Sequence, residues 1–84
     1  MSGMRYGQVP LRSSSQILNA LKRLGVQEGS ARSTSHRFLY RELPDGRKVS
    51  NPLPMGKREV PRGTLRNILE TLEIPLEDFL RELR

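Results

Sequence analysis

Cysteine and tryptophan are absent from the 84-residue chain, and histidine occurs once, at position 36. Without thiols the chain forms no disulfide and no thiolate metal site, and one histidine cannot build a zinc centre by itself. We therefore expect no structural metal and no cofactor. The longest apolar run spans three residues, 38–40, far below the roughly 18 residues of a membrane-spanning helix. The composition predicts a soluble, cytoplasmic protein without a membrane segment.

The length leaves room for one compact domain and excludes multidomain enzyme architectures. Residues 1–12 contain Gly3, Gly7 and Pro10 without an apolar period. We expect this segment to be a flexible N-terminal extension. The remaining residues, 13–84, are then the single folded domain.

Acidic residues are scarce over the first three quarters of the chain. The net charge is +6, and residues 1–66 carry 13 basic and four acidic side chains, whereas residues 67–84 carry two basic and five acidic ones. Basic residues concentrated in one region favour a polyanion, and above all a nucleic acid, as the partner. The alternative is that the arginines only keep the surface soluble.

The first amphipathic segment follows Ser13. Ser13 and Gln16 have the spacing of a capping box, in which each side chain bonds to the other residue's backbone amide. Apolar residues then recur at helical spacing, and Gly25 can take the left-handed conformation that ends a helix. The pattern predicts a helix over residues 14–24. Its apolar stripe consists of Ile17, Leu18, Leu21 and Leu24.

Two strand candidates flank a turn signal. Residues 36–43 are rich in aromatic and apolar side chains and lead into Pro-Asp-Gly at 44–46, a typical turn sequence. The return strand begins at 48–49, and two prolines in segment 51–56 predict its end because proline cannot donate to a ladder. Residues 26–32 are a weaker candidate for a third strand.

Helical spacing returns after residue 61. It predicts a helix over residues 62–73 and a second, shorter helix that Pro75 starts. The apolar positions are Leu65, Ile68, Leu69, Leu72, Leu76, Phe79, Leu80 and Leu83. The element order α-β-β-β-α-α predicts an α+β fold in which helices pack on one face of a small antiparallel three-stranded sheet.

The other face of such a sheet is open to solvent. We expect Arg37, Arg41, Arg47 and Lys48 to make this face basic and able to follow phosphates. His36 lies at the start of the same strand region and is the side chain suited to proton transfer near neutral pH. With nearby arginines it could cleave RNA, because RNA supplies its own 2′-hydroxyl nucleophile. An ordinary, partly exposed strand histidine is the alternative.

A set of short motifs carries a family resemblance. Ser13, Gly25, the Ser-His pair at 35–36, the Pro-Asp-Gly turn and Arg-Gly-Thr-Leu-Arg at 62–66 occur in this order. Over about residues 13–83 the chain resembles the HicA toxins, small mRNA interferases of bacterial and archaeal toxin–antitoxin pairs. The family pattern has glycine before the Ser-His pair, whereas this chain has Thr34. A β-branched residue does not readily take a positive φ, so the approach to His36 is expected to differ.

The resemblance implies a double-stranded-RNA-binding-domain-like fold with the acid/base role at His36. It also implies metal-independent cleavage of mRNA and neutralisation by a cognate HicB-type antitoxin that covers the active face. The residues expected to contact RNA are Ser35, Arg37, Lys57, Arg58, Arg62, Thr64 and Arg66. Arg66 could instead pair with Glu70 one helical turn later.

Two other functions are compatible with the same sequence. One is a non-catalytic RNA-binding module that uses the same basic face, in which case replacing His36 leaves function intact. The other is an interaction protein whose C-terminal leucine stripe, at 76–83, docks a partner.

Overall fold

A three-stranded antiparallel sheet and three α-helices make up the part of the chain that the computed structural model describes, residues 6–29 and 35–83. The strand order is β1-β2-β3, and both pairings are antiparallel. The elements are a 3₁₀ turn at Tyr6–Gln8, α1 at Ser14–Arg23, β1 at Gln27–Glu28, β2 at His36–Glu42, β3 at Lys48–Pro54, α2 at Arg62–Thr71 and α3 at Leu76–Glu82. The predicted α+β fold is confirmed.

Helix α1 begins with the predicted capping box. The Ser13 hydroxyl accepts from the Gln16 backbone amide at 3.2 Å, and the Gln16 side chain accepts from the Ser13 amide at 3.0 Å. Two amides that have no partner inside the helix are thereby satisfied. At the other end Gly25 has φ +91°, a conformation that favours glycine.

The β2–β3 hairpin forms at the predicted turn, where Gly46 has φ +90° and the Leu43 amide donates to the Arg47 carbonyl at 2.7 Å. The prediction that the prolines of segment 51–56 break the strand is wrong, because β3 includes both of them and continues to Pro54. The Met55 amide donates to the Ser35 carbonyl at 2.7 Å, so odd-numbered amides of β3 face β2. Pro52 and Pro54 are even-numbered and present their nitrogens to the outer edge, where no ladder bond is lost.

Leu39 and Leu53 extend from the sheet into a core that the helices cover, and both are fully buried. The helices contribute most of the remaining core residues, as their apolar stripes predict. The fully buried helical side chains are Ile17, Ala20, Leu21, Ile68, Leu69 and Phe79. All three helices therefore lie on one side of the sheet.

The segment before α1 belongs in part to the folded unit, which corrects the expectation of a flexible extension over 1–12. Val9 is fully buried, and Tyr6 packs against the core. The Val60 amide donates to the Arg12 carbonyl at 2.8 Å. A single apolar residue between Gly7 and Pro10 has no period, so the sequence pattern could not reveal this packing. Residues 1–5 lie outside the described part.

Helix α3 packs against α1, and the Arg23 guanidinium donates to the Glu82 carbonyl at 3.0 Å. Leu76 and Phe79 are buried, and Leu80 and Leu83 pack against the core. The C-terminal leucine stripe therefore packs against α1 and the core of the same chain, and it is not a free surface for docking a partner.

Candidate nucleic-acid interface and histidine site

The strand register separates the predicted basic residues onto two faces of the sheet. Leu39 of β2 lies in the core, so Arg37 and Arg41, two residues to either side, share the helix-side face. His36 has the opposite parity and lies on the open face. The prediction that Arg37, Arg41, Arg47 and Lys48 together make the open face basic is wrong for Arg37 and Arg41, and Arg47 is drawn towards the helices by Glu73.

Arg41 and Arg47 attach the hairpin to the C-terminal end of α2. The Arg41 guanidinium donates to the Leu72 carbonyl at 3.2 Å. Its positive charge also interacts favourably with the negative, C-terminal end of the helix dipole. Arg47 pairs with Asp45 at 2.8 Å and with Glu73 at 3.0 Å. These two arginines are therefore engaged in holding the fold.

Arg37 joins a three-residue charge cluster beside α1. Its guanidinium lies 2.8 Å from a Glu28 carboxylate oxygen, and the other carboxylate oxygen pairs with Lys22. The hydrogen bond from Lys22, with the charges of Lys22 and Arg37, holds the pKa of Glu28 below its ordinary value. Arg37 thus lies away from His36 and has a carboxylate partner.

His36 is exposed at the end of the sheet where β2 begins and β3 ends. Its register partner on β3 is Pro54. The Ser35 hydroxyl lies 3.1 Å from His36 Nδ1, which can orient the ring and leave Nε2 to solvent. An exposed imidazole whose second nitrogen has a hydroxyl neighbour can accept or donate a proton at a bound substrate.

The loop after Pro54 brings Lys57 and Arg58 to the same end of the sheet. Met55 is bonded to Ser35 and lies only two residues before Lys57, so the loop starts directly beside His36. Lys57 and Arg58 are exposed, and among the described residues neither has a carboxylate partner. Their charges are available for phosphate.

Ser14 fixes this loop against α1 and is a residue that sequence reasoning missed. Its side chain is buried; the hydroxyl donates to the Pro54 carbonyl at 2.7 Å and accepts from the Lys57 amide at 3.2 Å. The Lys57 carbonyl in turn accepts from the Ser14 amide at 3.0 Å. Ser14 thus positions the backbone of Lys57 relative to the end of β3. The only signal for this role in the sequence was a second serine directly after the capping Ser13.

Ser14→Ala is expected to destabilise the fold by about 1 to 3 kcal/mol because the buried hydroxyl and its two part-buried hydrogen bonds to the backbone are lost. The measurement is the free energy of unfolding from urea titration. Ser15→Ala is the matched control, since Ser15 is exposed on the same helix, and we expect a change within about 0.5 kcal/mol. Equal stability of the two variants would contradict the assigned role of Ser14.

Arg62, Thr64 and Arg66 lie on α2 beside the N-terminal segment. The Arg62 guanidinium donates to the Val9 carbonyl at 2.7 Å, and Thr64 is half-buried. Arg66 pairs with Glu70 at 2.9 Å and lies 5.7 Å from the centre of the Tyr6 ring. The pairing alternative for Arg66 is therefore the one observed.

A protein-family model described as HicA toxin of bacterial toxin-antitoxin matches residues 14–74. The chain belongs to the HicA toxin family. Comparison with curated proteins finds no match. Membership in the HicA family makes the chain a toxin relative that has an antitoxin as its partner.

The HicA match includes Ser14, the Ser-His pair and the Arg-Gly-Thr-Leu-Arg segment, and it excludes the packed segment 6–13 and helix α3. Thr34, where the resemblance predicts glycine, lies outside the described residues. Within the described ranges no helix is long and apolar enough to cross a membrane, and no three His, Asp or Glu side chains meet as a possible metal site.

Proposed function

We propose that this HicA family member is a metal-independent endoribonuclease, an mRNA interferase toxin of a type II toxin–antitoxin pair, with His36 as the acid/base. The observation that carries the proposal is that exposed His36 begins β2 beside the end of β3, from which the loop with Lys57 and Arg58 leads. A proton-transfer group and phosphate-binding cations are the two components that RNA cleavage requires.

The proposed reaction uses the substrate's own nucleophile. The 2′-oxygen of a ribose attacks the adjacent phosphorus, the bond from phosphorus to the 5′-oxygen breaks, and the 5′-oxygen takes up a proton. His36 removes the 2′-hydroxyl proton or supplies the one for the leaving oxygen. Lys57 and Arg58 stabilise the extra negative charge that develops on the phosphate oxygens.

A HicB-type antitoxin is the proposed neutralising partner. Covering the His36 end of the sheet would block the imidazole and the Lys57–Arg58 loop together. The predominance of basic residues before residue 67 favours a partner with acidic groups at the contact, because complementary charge accelerates and orients association.

Incubation of the purified protein with a long unstructured RNA in EDTA tests the activity. We expect cleavage, with products that end in a 2′,3′-cyclic phosphate and a 5′-hydroxyl. An RNA of the same sequence with 2′-deoxyribose at one cleaved position is the matched substrate, and cleavage should stop there alone. Dependence of cleavage on added divalent metal, or cleavage at the deoxy position, would contradict the mechanism.

A non-catalytic RNA-binding module is the second candidate. Among the described residues no carboxylate hydrogen bonds to the His36 ring, whose neighbour is the Ser35 hydroxyl. Many acid/base histidines are oriented by such a carboxylate. Tight RNA binding by the wild type, without cleavage in EDTA or in magnesium, would select this candidate.

Lys57→Ala and Arg58→Ala are each expected to weaken RNA binding about uniformly across sequences and to reduce the slope of log affinity against log salt by about 1. The measurement is fluorescence anisotropy of labelled RNA over a salt series. Arg81→Ala is the charge-matched control, because Arg81 lies on α3 and pairs with Asp78. A slope change as large for Arg81→Ala as for the loop variants would show that only total charge matters.

A further inference from the structure

The open face of the sheet carries an aromatic row that begins at His36. Phe38 is the large apolar side chain left exposed among the described residues, with 47% of its surface accessible. It follows His36 by two residues on β2, about 7 Å along the strand, and lies on the same face. Tyr40 follows at the same spacing. Neither ring belongs to the hydrophobic core, and neither takes part in the proposed proton transfer.

Strand β1 and the residue after it contact both aromatic residues. The Gly29 amide donates to the Phe38 carbonyl at 2.7 Å, and a Cβ on Gly29 would stand 3.2 Å from Phe38 Cδ2. The Phe38 ring therefore lies against glycine backbone that no side chain shields. The Tyr40 hydroxyl donates to the Gln27 side chain at 2.9 Å. Rings that are already ordered lose little freedom when a ligand binds.

The surroundings of the row favour a ligand with flat faces and negative charge. On β3, Pro54 pairs with His36 and Pro52 pairs with Phe38, so β2 and β3, as far as the structure describes them, carry no carboxylate on this part of the open face. The first one is Glu42, at the far end of the strand, opposite Lys48. The cationic loop starts directly beyond Pro54. An aromatic surface that continues into a phosphate-binding site has the chemistry of a single-stranded nucleic-acid platform.

We propose that Phe38 and Tyr40 stack on unpaired nucleobases next to the phosphate held at His36, so that the open face of the sheet is a nucleobase platform for the RNA substrate. The inference rests on the proposed function, because it takes the His36 end as the position of the reacting phosphate. Bases within a duplex are stacked on one another and do not offer their faces. Phe38 and Tyr40 are then positioning residues that select unpaired RNA.

The test measures binding without cleavage. The probe is a short 2′-fluoro oligoadenylate, which lacks the 2′-hydroxyl nucleophile; an abasic strand with the same phosphates and a duplex of the same length are its controls. Phe38→Leu keeps an apolar side chain but removes the ring, and we expect about 5- to 100-fold weaker binding of the oligoadenylate. Phe38→Trp should bind it as well as the wild type. The abasic strand should bind all three proteins equally.

Two results would overturn the inference. Equal binding of the oligoadenylate by wild type and Phe38→Leu would leave a protein partner as the occupant of this face. Equal or tighter binding of the duplex by the wild type would remove the selection for unpaired bases. Phe38 is exposed, so Phe38→Leu should unfold within a few degrees of the wild type, which verifies that the variant is folded.

The outcome is separable from that of the proposed ribonuclease. Ring-dependent binding without any RNA cleavage would retain the platform and refute the catalytic role of His36. Cleavage that requires His36, together with ring-independent binding, would retain the ribonuclease and refute the platform. Absence of binding to every oligonucleotide would refute both.

Discussion

His36→Gln is expected to lower the rate of RNA cleavage by about 10²- to 10⁴-fold while leaving the affinity for RNA nearly unchanged. Glutamine retains polar atoms near the Ser35 hydroxyl, which lies 3.1 Å from the native ring, but it cannot take up and release a proton near neutral pH. The rate is measured under single-turnover conditions with saturating protein, so that binding and cleavage are separated.

The pH dependence of the rate distinguishes proton transfer from a structural role. The wild-type rate should vary with pH, and the residual rate of His36→Gln should vary less. His36 is exposed, so the free energy of unfolding should change by less than about 0.5 kcal/mol. Cleavage by His36→Gln within twofold of the wild type would exclude His36 as the acid/base.

Phe79→Ala is expected to remove about 3 to 5 kcal/mol of stability, because the fully buried ring leaves a cavity between α3 and the rest of the core. A domain of 84 residues has a total stability of roughly 4 to 13 kcal/mol. The expected loss is therefore a large part of the domain's total free energy of unfolding. Urea titration followed by circular dichroism measures the difference.

Leu80→Ala is the control for that prediction, since Leu80 is the neighbouring residue and is half-buried. We expect a loss of about 1 to 2 kcal/mol. The comparison matters because α3 lies beyond the matched family segment 14–74. A loss below about 1 kcal/mol for Phe79→Ala would mean that α3 is an appendage and not part of the core.

Local signals in the sequence were sufficient for most elements of the fold. The start of α1 was predicted from Ser13 with Gln16, and the hairpin from the Pro-Asp-Gly turn. Both later helices were predicted from the leucine spacing. Each signal depends on residues within one or two turns of chain. The end of β3 was mispredicted. The cost of a proline in a strand depends on whether its nitrogen faces a neighbour or the edge, which the sequence does not state.

The candidate site was less predictable than the fold. His36 and the Lys57–Arg58 loop were named from the sequence and the family resemblance, and their catalytic and RNA-binding roles stay predictions. The position of Arg37 depends on strand parity, since a shift of one residue moves a side chain to the other face. Ser14 and Val9 act through contacts with residues 40 or more positions away, and no local pattern reports such contacts.

The two edge prolines of β3 also restrict how other chains can attach. At Pro52 and Pro54 the outer edge lacks the amide donors that an added strand would need. The opposite edge of the sheet, β1, is only two residues long. Near His36 the β3 edge therefore cannot be extended by a continuous ladder from a second copy or from a partner. A protein that covers this edge has to rely on side-chain contacts. The missing donors also protect this edge of the free molecule from strand-to-strand aggregation.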